Sequence, residues 1–417
     1  MPIKFENIMK SKIVVFALVF VAYCCKSSSP QGDGSVVEVM AGGNKVNVLL
    51  LDKVKRGTVS IPLSALVEDF EIVQLEMHED AVFHPSATIT VTENFIGVRP
   101  IYADNYKLFD RSGKFLCSIS KRGNGPGEYT NSLTDDIIDE QNGLIYLAAQ
   151  SKIFVYNLSG EFLKEFVPPQ SLGRTKIFLS DEILSVIHPP RMFQVPNRTI
   201  YEADAMLLKF DVNTSELLEK LAPPFEHLIL RNWHENIFSA QNVKGVFDFF
   251  PNYWDTEQYD TLYHIDVERN KFLPFFAMEY KLTKANDKPI FFQLTKNLMM
   301  TILIETTSAG PYVVTDLIAT DLISKTSARV KMLNDYLGNI DGLPYSHNRS
   351  FNKGYYARSF QPEELIEDIE KRLTESSCTE NDREILQKTL STLKEGTNNV
   401  VFIGKIRDEI KLWTESR

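Results

Sequence analysis

Short runs in which apolar and polar residues alternate recur along most of the chain, each closed by Gly, Asn, Asp or Ser. Alternation with period two marks a half-buried β-strand, and the closing residues tolerate the positive φ of tight turns. One phrase occurs twice. YKLFDRSGKFLCSI, from Tyr106, and KIFVYNLSGEFLKEF, from Lys152, share a strand, an Asp or Asn, a Ser-Gly turn and a second strand. Repetition at this spacing implies a small β unit that stacks on copies of itself, as in a propeller.

The units can be followed from end to end. ATITVTENFIGVRP, from Ala87, is a hairpin that joins the first phrase in a four-stranded unit. DDIID, LIYLAA, KIFVYN and EFLKEF predict the next, between Asp135 and Phe166. Blurred versions follow from Lys176 and Ala205, from Glu235 and Asp260, between Phe291 and Leu333, and from Ser346 to Arg407. The fold class is therefore all-β, a six-bladed β-propeller. Its opening strands near Ile61 and Phe70 should share a blade with the final strand, Val400 to Ile406, because an untied ring exposes sheet edges. PEELIEDIEKRL, from Pro362, and TENDREILQKTLSTLKEG, from Thr379 to a stop at Gly396, carry helical spacing instead. They predict a small helical insertion in the last blade, at about 362–396.

The N-terminal region has a different pattern. Lys10 and Lys12 precede an apolar run that ends at Cys24 and Cys25, which is the form of a secretory signal. A cysteine at that point resembles a bacterial lipoprotein signal, making Cys24 and Cys25 the lipidation candidates. The expected organisation is a signal peptide over 1–25, a flexible tether over 26–57 and the propeller over 58–417.

Composition and charge narrow the function. The chain has 417 residues, 43% of them hydrophobic, enough for a large core. A net charge of −10 with no long basic run argues against nucleic acid as a partner. The four cysteines, at 24, 25, 117 and 378, form no CxxC pair, so neither zinc nor a disulfide framework is indicated. The seven histidines show no HExxH, and no GxSxG is present, so no catalytic residue and no metal ligand is assigned. Gly123, Gly125 and Gly127 could suggest a phosphate loop, but Pro126 removes an N–H and β-structure follows. Turn formation is the reading taken, with Glu128 or Arg122 bonding to the loop. Tyr253 and Trp254, in FFPNYWDTEQY, are the aromatic candidates for stacking on a ligand, and Arg122 is a third candidate contact.

Several of these pieces together resemble the Bacteroidota-type six-bladed β-propeller lipoproteins. They are IPLSALVEDFEIVQLE, KLFDRSGKFLCSISKRGNGPGEY, DTLYHI, and the helix pair followed by NNVVFIGKIR, where Val400 stands in place of the family's usual Pro. The resemblance implies a cell-envelope address, with the outer membrane expected, and no settled activity. The expected function is an envelope-anchored binding or scaffold module. Its expected partners are the membrane, through an N-terminal lipid, and a glycan, peptide or envelope protein, with the protein itself a monomer. The alternative is a metal-dependent propeller enzyme, of lyase or hydrolase type, holding a divalent ion in the central channel. No other cofactor is implied.

Overall fold

The computed structural model describes residues 32–41, 43–101, 104–130, 132–169, 174–188, 192–195, 198–201, 205–222, 236–252, 261–279, 287–305, 313–342 and 350–412. Its strands form a six-bladed β-propeller. Blade 1 is Thr88–Val91, Phe95–Arg99, Tyr106–Asp110 and Phe115–Ile119. Blade 2 is Asp135–Asp139, Leu144–Ala148, Ile153–Asn157 and Phe162–Phe166. Blade 3 is Lys176–Ser180, Ile183–Ile187, Leu207–Asp211 and Leu217–Leu221. Blade 4 is Asn236–Phe238, Phe247–Asn252, Thr261–Asp266 and Lys271–Glu279. Blade 5 is Asp287–Gln293, Leu298–Glu305, Val313–Asp321 and Thr326–Asn334. Blade 6 is Phe351–Asn352, Tyr355–Phe360 and Val400–Ile406, completed by an N-terminal strand.

The repeated phrase is the third strand, the turn and the fourth strand of a blade. Its Asp or Asn caps the turn from inside. Asp110 Oδ1 accepts from the N–H groups of Ser112 and Lys114, and Asn157 Oδ1 from those of Ser159 and Glu161. Asp211, Asp266 and Asp321 do the same in blades 3, 4 and 5. Each turn needs one residue in the left-handed region. Gly113 and Gly160 supply it at φ 92° and 82°. In the longer turns of blades 3 to 5, Ser215, Asn270 and Lys325 adopt it at φ 61°, 58° and 56°, which blurs the Gly signal without changing the fold.

The residue after the turn acid also ties blades together. Cys117 of blade 1 points its thiol at the Leu158 carbonyl of blade 2, 3.7 Å away. Lys164 of blade 2 donates to the Val212 carbonyl of blade 3, and Lys209 of blade 3 to the Val267 carbonyl of blade 4. Between the blades lie apolar clusters, for example Tyr106, Ile119, Ile145 and Phe154 between blades 1 and 2.

The N-terminal region departs from expectation. Strands β1 (Val36–Ala41), β2 (Asn44–Leu50), β3 (Lys55–Pro62) and β4 (Val67–Gln74) occupy part of the expected tether and continue past it. β1 and β2 form a hairpin, and β2 lies parallel to Lys271–Glu279 on the outer edge of blade 4. β3 lies parallel to Thr326–Asn334 on blade 5, and β4 pairs antiparallel with Val400–Ile406 in blade 6. The tether reading of 26–57 is thus corrected from Val36 onward. Val36, Val46, Leu49 and Val54 are buried, but they stand among Gly, Asn and Lys residues that mask the alternation. Phe70 shares a blade with the final strand as anticipated, whereas Ile61 belongs to the edge of blade 5.

Helices α1 (Pro362–Thr374) and α2 (Glu380–Leu390) stand between the second and third strands of blade 6. Pro362 fits the first helical turn, where its missing N–H costs nothing, and Thr379 and Asp382 form a capping box. α2 ends at Leu390, before Gly396, whose N–H instead donates to Glu363 at 2.7 Å. Arg372 fixes the pair to blade 5, donating to the Gly338 carbonyl at 2.9 Å and to Asp382 at 3.2 Å.

Two asparagines before the last strand lock the junction between blades 6 and 1. Asn398 donates to the carbonyls of Glu76 and Ala81, and Asn399 to the Phe83 carbonyl and the Ser359 hydroxyl. Both are buried. Asn399→Ala is therefore expected to lower stability by about 1–3 kcal/mol, since it strands a buried carbonyl. Urea unfolding of the variant measures this; an unchanged midpoint would show that the pair does not clamp the junction.

Candidate functional site: the bridged channel

The first strand of each sheet faces the propeller axis, so polar residues there meet across the channel. Asp135 opens the first strand of blade 2, where it is almost fully buried. Its Oδ2 accepts from the Ile177 N–H of blade 3 at 3.0 Å. Its Oδ1 lies 3.5 Å from Lys353 Nζ of blade 6 and 3.7 Å from Lys176 Nζ of blade 3. Lys353 also donates to the Asp136 carbonyl. Blades 2 and 6 are not neighbours, because blade 1 stands between them. The Lys353–Asp135 contact therefore spans the axis.

A second set of bonds crosses from blade 4. The Lys353 N–H donates to the Ala240 carbonyl at 2.8 Å. Asn242 accepts from the Gly354 N–H at 3.2 Å and donates to the Gln293 carbonyl of blade 5 at 3.0 Å. Gln241 reaches the Ile177 carbonyl at 3.0 Å. Gln241 and Lys353 both hold positive φ, 51° and 53°. That conformation is unfavourable for a residue with a side chain and must be imposed by its surroundings. Asp248 imposes it on Gln241, accepting that residue's N–H at 2.7 Å.

The electrostatics describe a strut. Burial pushes the Asp135 carboxyl upward, but Lys176, Lys353, Arg99 and the Ile177 N–H outweigh it and hold the group at about 2. A carboxylate so firmly ionised is a poor proton acceptor near neutrality. Burial raises Asp248, against the hydrogen bonds it accepts from Gln241, Ala240 and Ser239. Burial lowers His264 to about 4, with its Nε2 at 2.8 Å from Gln293 Oε1 and its ring stacked on Phe275. Next to the strut, Asp136 accepts from Arg99 at 2.9 Å and from Tyr106 at 3.0 Å, joining blades 1 and 2. Gly97 makes room for that hydroxyl, because a Cβ there would lie 1.8 Å from it.

A divalent ion does not fit this axial cluster. One carboxylate flanked by two ammonium groups presents a repulsive field to a cation. Among the described residues, no group of three or more His, Cys, Asp or Glu side chains could hold a metal.

The Gly-rich loop is closed by its own acid. Glu128 folds back to accept the Gly125 N–H at 2.9 Å and lies 3.3 Å from Lys121. The hydrogen bond from Gly125, followed by Lys121, lowers its pKa. Ser120 and Tyr156 donate to the Gly127 carbonyl. Arg122 is exposed, and its backbone bridges to Tyr129. Among the described residues, no bond joins this loop to the axial cluster. Tyr253, Trp254, Cys24 and Cys25 lie outside the described residues.

Asp135, Lys176, Gln241, Asn242 and Lys353 were not singled out from sequence, since only the closed ring brings them together. The signal available was an acidic pair opening the otherwise apolar strand DDIID, and a Lys in the tight Asn-Lys-Gly turn.

The match that decides the family spans most of this architecture. Residues 46–405 fit the model described as a domain of unknown function, DUF4934. The chain belongs to the DUF4934 family. No curated protein matches it. Among solved structures, an exported-protein candidate from Bacteroides fragilis is similar over 84% of this chain and 98% of its own, with TM-score 0.55 and 13% identity. A protein of unknown function from Bacteroides caccae covers 70% of this chain and 93% of its own, at 13% identity and TM-score 0.35. The first likeness shows the fold alone; the second carries no argument. In this DUF4934 chain, no helix among the described residues is long and apolar enough to cross a membrane.

Proposed function

We propose that this DUF4934 protein is a binding or scaffold module of the cell envelope, anchored through a lipid on Cys24 or Cys25. One observation carries the binding reading: the charged groups on the axis bond to one another across the channel and hold the ring together. Recognition is then left to the connections around the rim.

Those connections are unequal. In an antiparallel meander, the link between strands two and three and the link to the next blade leave from one face. On this face blade 6 inserts α1 and α2, and blades 3, 4 and 5 have their longest links. The opposite face has mostly tight turns, such as those after Asp110 and Asn157. Asn252 and Thr261, the strand ends that flank Tyr253 and Trp254, belong to the long-link face. A glycan, peptide or envelope protein is the class of ligand that aromatic rim residues suit. Arg122 is the weaker contact.

The test is a binding panel of envelope glycans, peptides and proteins, followed by Trp254→Ala on any hit. A stacked Trp contributes on the order of 2 kcal/mol, so affinity should fall about thirtyfold. Unchanged affinity would remove Trp254 from the site. Turnover of a panel member, abolished by a chelator and restored by a divalent ion, would overturn the binding reading. Lipidation is tested separately: Cys24→Ser with Cys25→Ser should release the protein from the membrane fraction.

A further inference from the structure

We infer that the outer wall of blades 4 and 5, formed by β1, β2 and β3, is a contact surface for an anionic lipid bilayer. The chain as a whole carries a net charge of −10, yet residues 36–62 hold Lys45, Lys53, Lys55 and Arg56 against only Glu38 and Asp52. All four cations are exposed. Lys45 pairs with Glu38 at 2.8 Å, whereas Lys53, Lys55 and Arg56 have no carboxylate partner among the described residues. Lys331, on the blade 5 strand that β3 joins, is exposed as well.

The same wall carries large apolar side chains in water. Met40 on β1 and Ile323 in the blade 5 turn are 66% and 63% exposed, the highest values for large hydrophobic residues among those described. Basic groups that meet headgroup charge, interleaved with apolar groups that reach the acyl boundary, are the chemistry of an interfacial binding surface. An acidic protein partner would satisfy the cations but not bury isolated, protruding Met40 and Ile323 equally well.

Where the chain joins this wall is an independent observation. Gly32 packs so close to Lys325 that a Cβ there would meet the Lys325 carbonyl at 2.5 Å. Asp33 reaches the Ser327 N–H at 3.5 Å, and Lys325 reaches Asn47 and Glu38. Everything N-terminal to Gly32 therefore departs from the wall of blades 4 and 5. The link from Cys25 to Gly32 can extend no more than about 25 Å. A lipid at that cysteine would tether the protein from the side of this wall. The wall's chemistry is independent of the lipid and goes beyond the ligand reading.

The experiment uses the full chain with Cys24→Ser and Cys25→Ser, mixed with phosphatidylcholine vesicles with and without phosphatidylglycerol. Binding should favour the anionic vesicles and weaken as salt is raised. Lys53→Glu, Lys55→Glu and Arg56→Glu together should reduce anionic binding by about tenfold or more and leave the residual neutral-vesicle binding unchanged. Met40→Ser with Ile323→Ser should weaken binding to both. A melting temperature close to that of the parent confirms that these exposed changes leave the fold intact. Equal partition between the vesicle types would overturn the inference. So would an equal loss on reversing Lys114, Lys220 and Lys394 elsewhere on the surface, because net charge alone would then be acting. Retention on a soluble polyanion without vesicle binding would also overturn it. Failure of lipidation appears elsewhere, as a missing acyl mass on the mature wild-type N-terminus.

Discussion

Asp135→Ala should destabilise the protein by about 2–4 kcal/mol, because it leaves two partly buried ammonium groups without their counter-charge and a buried N–H without its acceptor. Lys353 and Lys176 would lose the carboxylate they share, and the Ile177 N–H would lose its acceptor. Urea unfolding near neutral pH measures the loss. A cycle with Lys353→Met separates the pair from its surroundings, and the double variant should recover part of the stability. The pH dependence has a definite sign. The folded carboxyl sits at about 2, below its ordinary value of 3.8. A lowered carboxyl stabilises the fold above the unfolded value, and that contribution disappears as pH falls through the folded one. The shift corresponds to about 2 kcal/mol, present near neutrality and lost mainly between about pH 4 and 2. Asp135→Asn should flatten the acid limb of the stability curve in that window. A variant with parental stability and an unaltered acid limb would mean that the axial contact is incidental.

Truncation after Gly396 should abolish cooperative folding. It removes Val400–Ile406, whose Val400, Val401, Phe402 and Ile403 are buried, and it strips both β4 and Tyr355–Phe360 of their common partner. The two apolar faces of blade 6 would then be open to solvent, with unpaired edges that recruit other chains. Ending the chain after Arg407 keeps that strand and should give a soluble product with a single melting transition. A soluble, cooperatively melting product from the shorter truncation would refute closure through blade 6.

Much of the fold was legible because blades 1 and 2 state their repeat plainly. The Asp-Arg-Ser-Gly and Asn-Leu-Ser-Gly turns announce their own geometry. Blades 3 to 5 were harder to read, since Ser215, Asn270 and Lys325 adopt a backbone normally announced by Gly. β1 and β2, and the place of β3 on blade 5, were unreadable for a different reason. An added edge strand buries few side chains, so β3 buries only Ile61 and shows no alternation. The axial cluster was beyond sequence for a third reason. Asp135 and Lys353 each look like an ordinary surface charge until the ring closes around them. Glu128 was the local exception: an acid three residues beyond Gly125 can cap that loop without help from distant chain.

The belt of β1, β2 and β3 has a consequence for the order in which the molecule assembles. Leu49 pairs with Met278 and Ile61 with Met332, and in the adjoining β4 Ile72 pairs with Phe402. These early strands thus have partners more than two hundred residues further along the chain. Loops this long close late, and contacts this distant in sequence slow folding. Blades 1, 2 and 3 are built entirely from strands close in sequence and can form as the chain appears. Until blades 4 and 5 follow, the belt has no edge to join. Docking of the belt therefore waits for those two blades and cannot precede them.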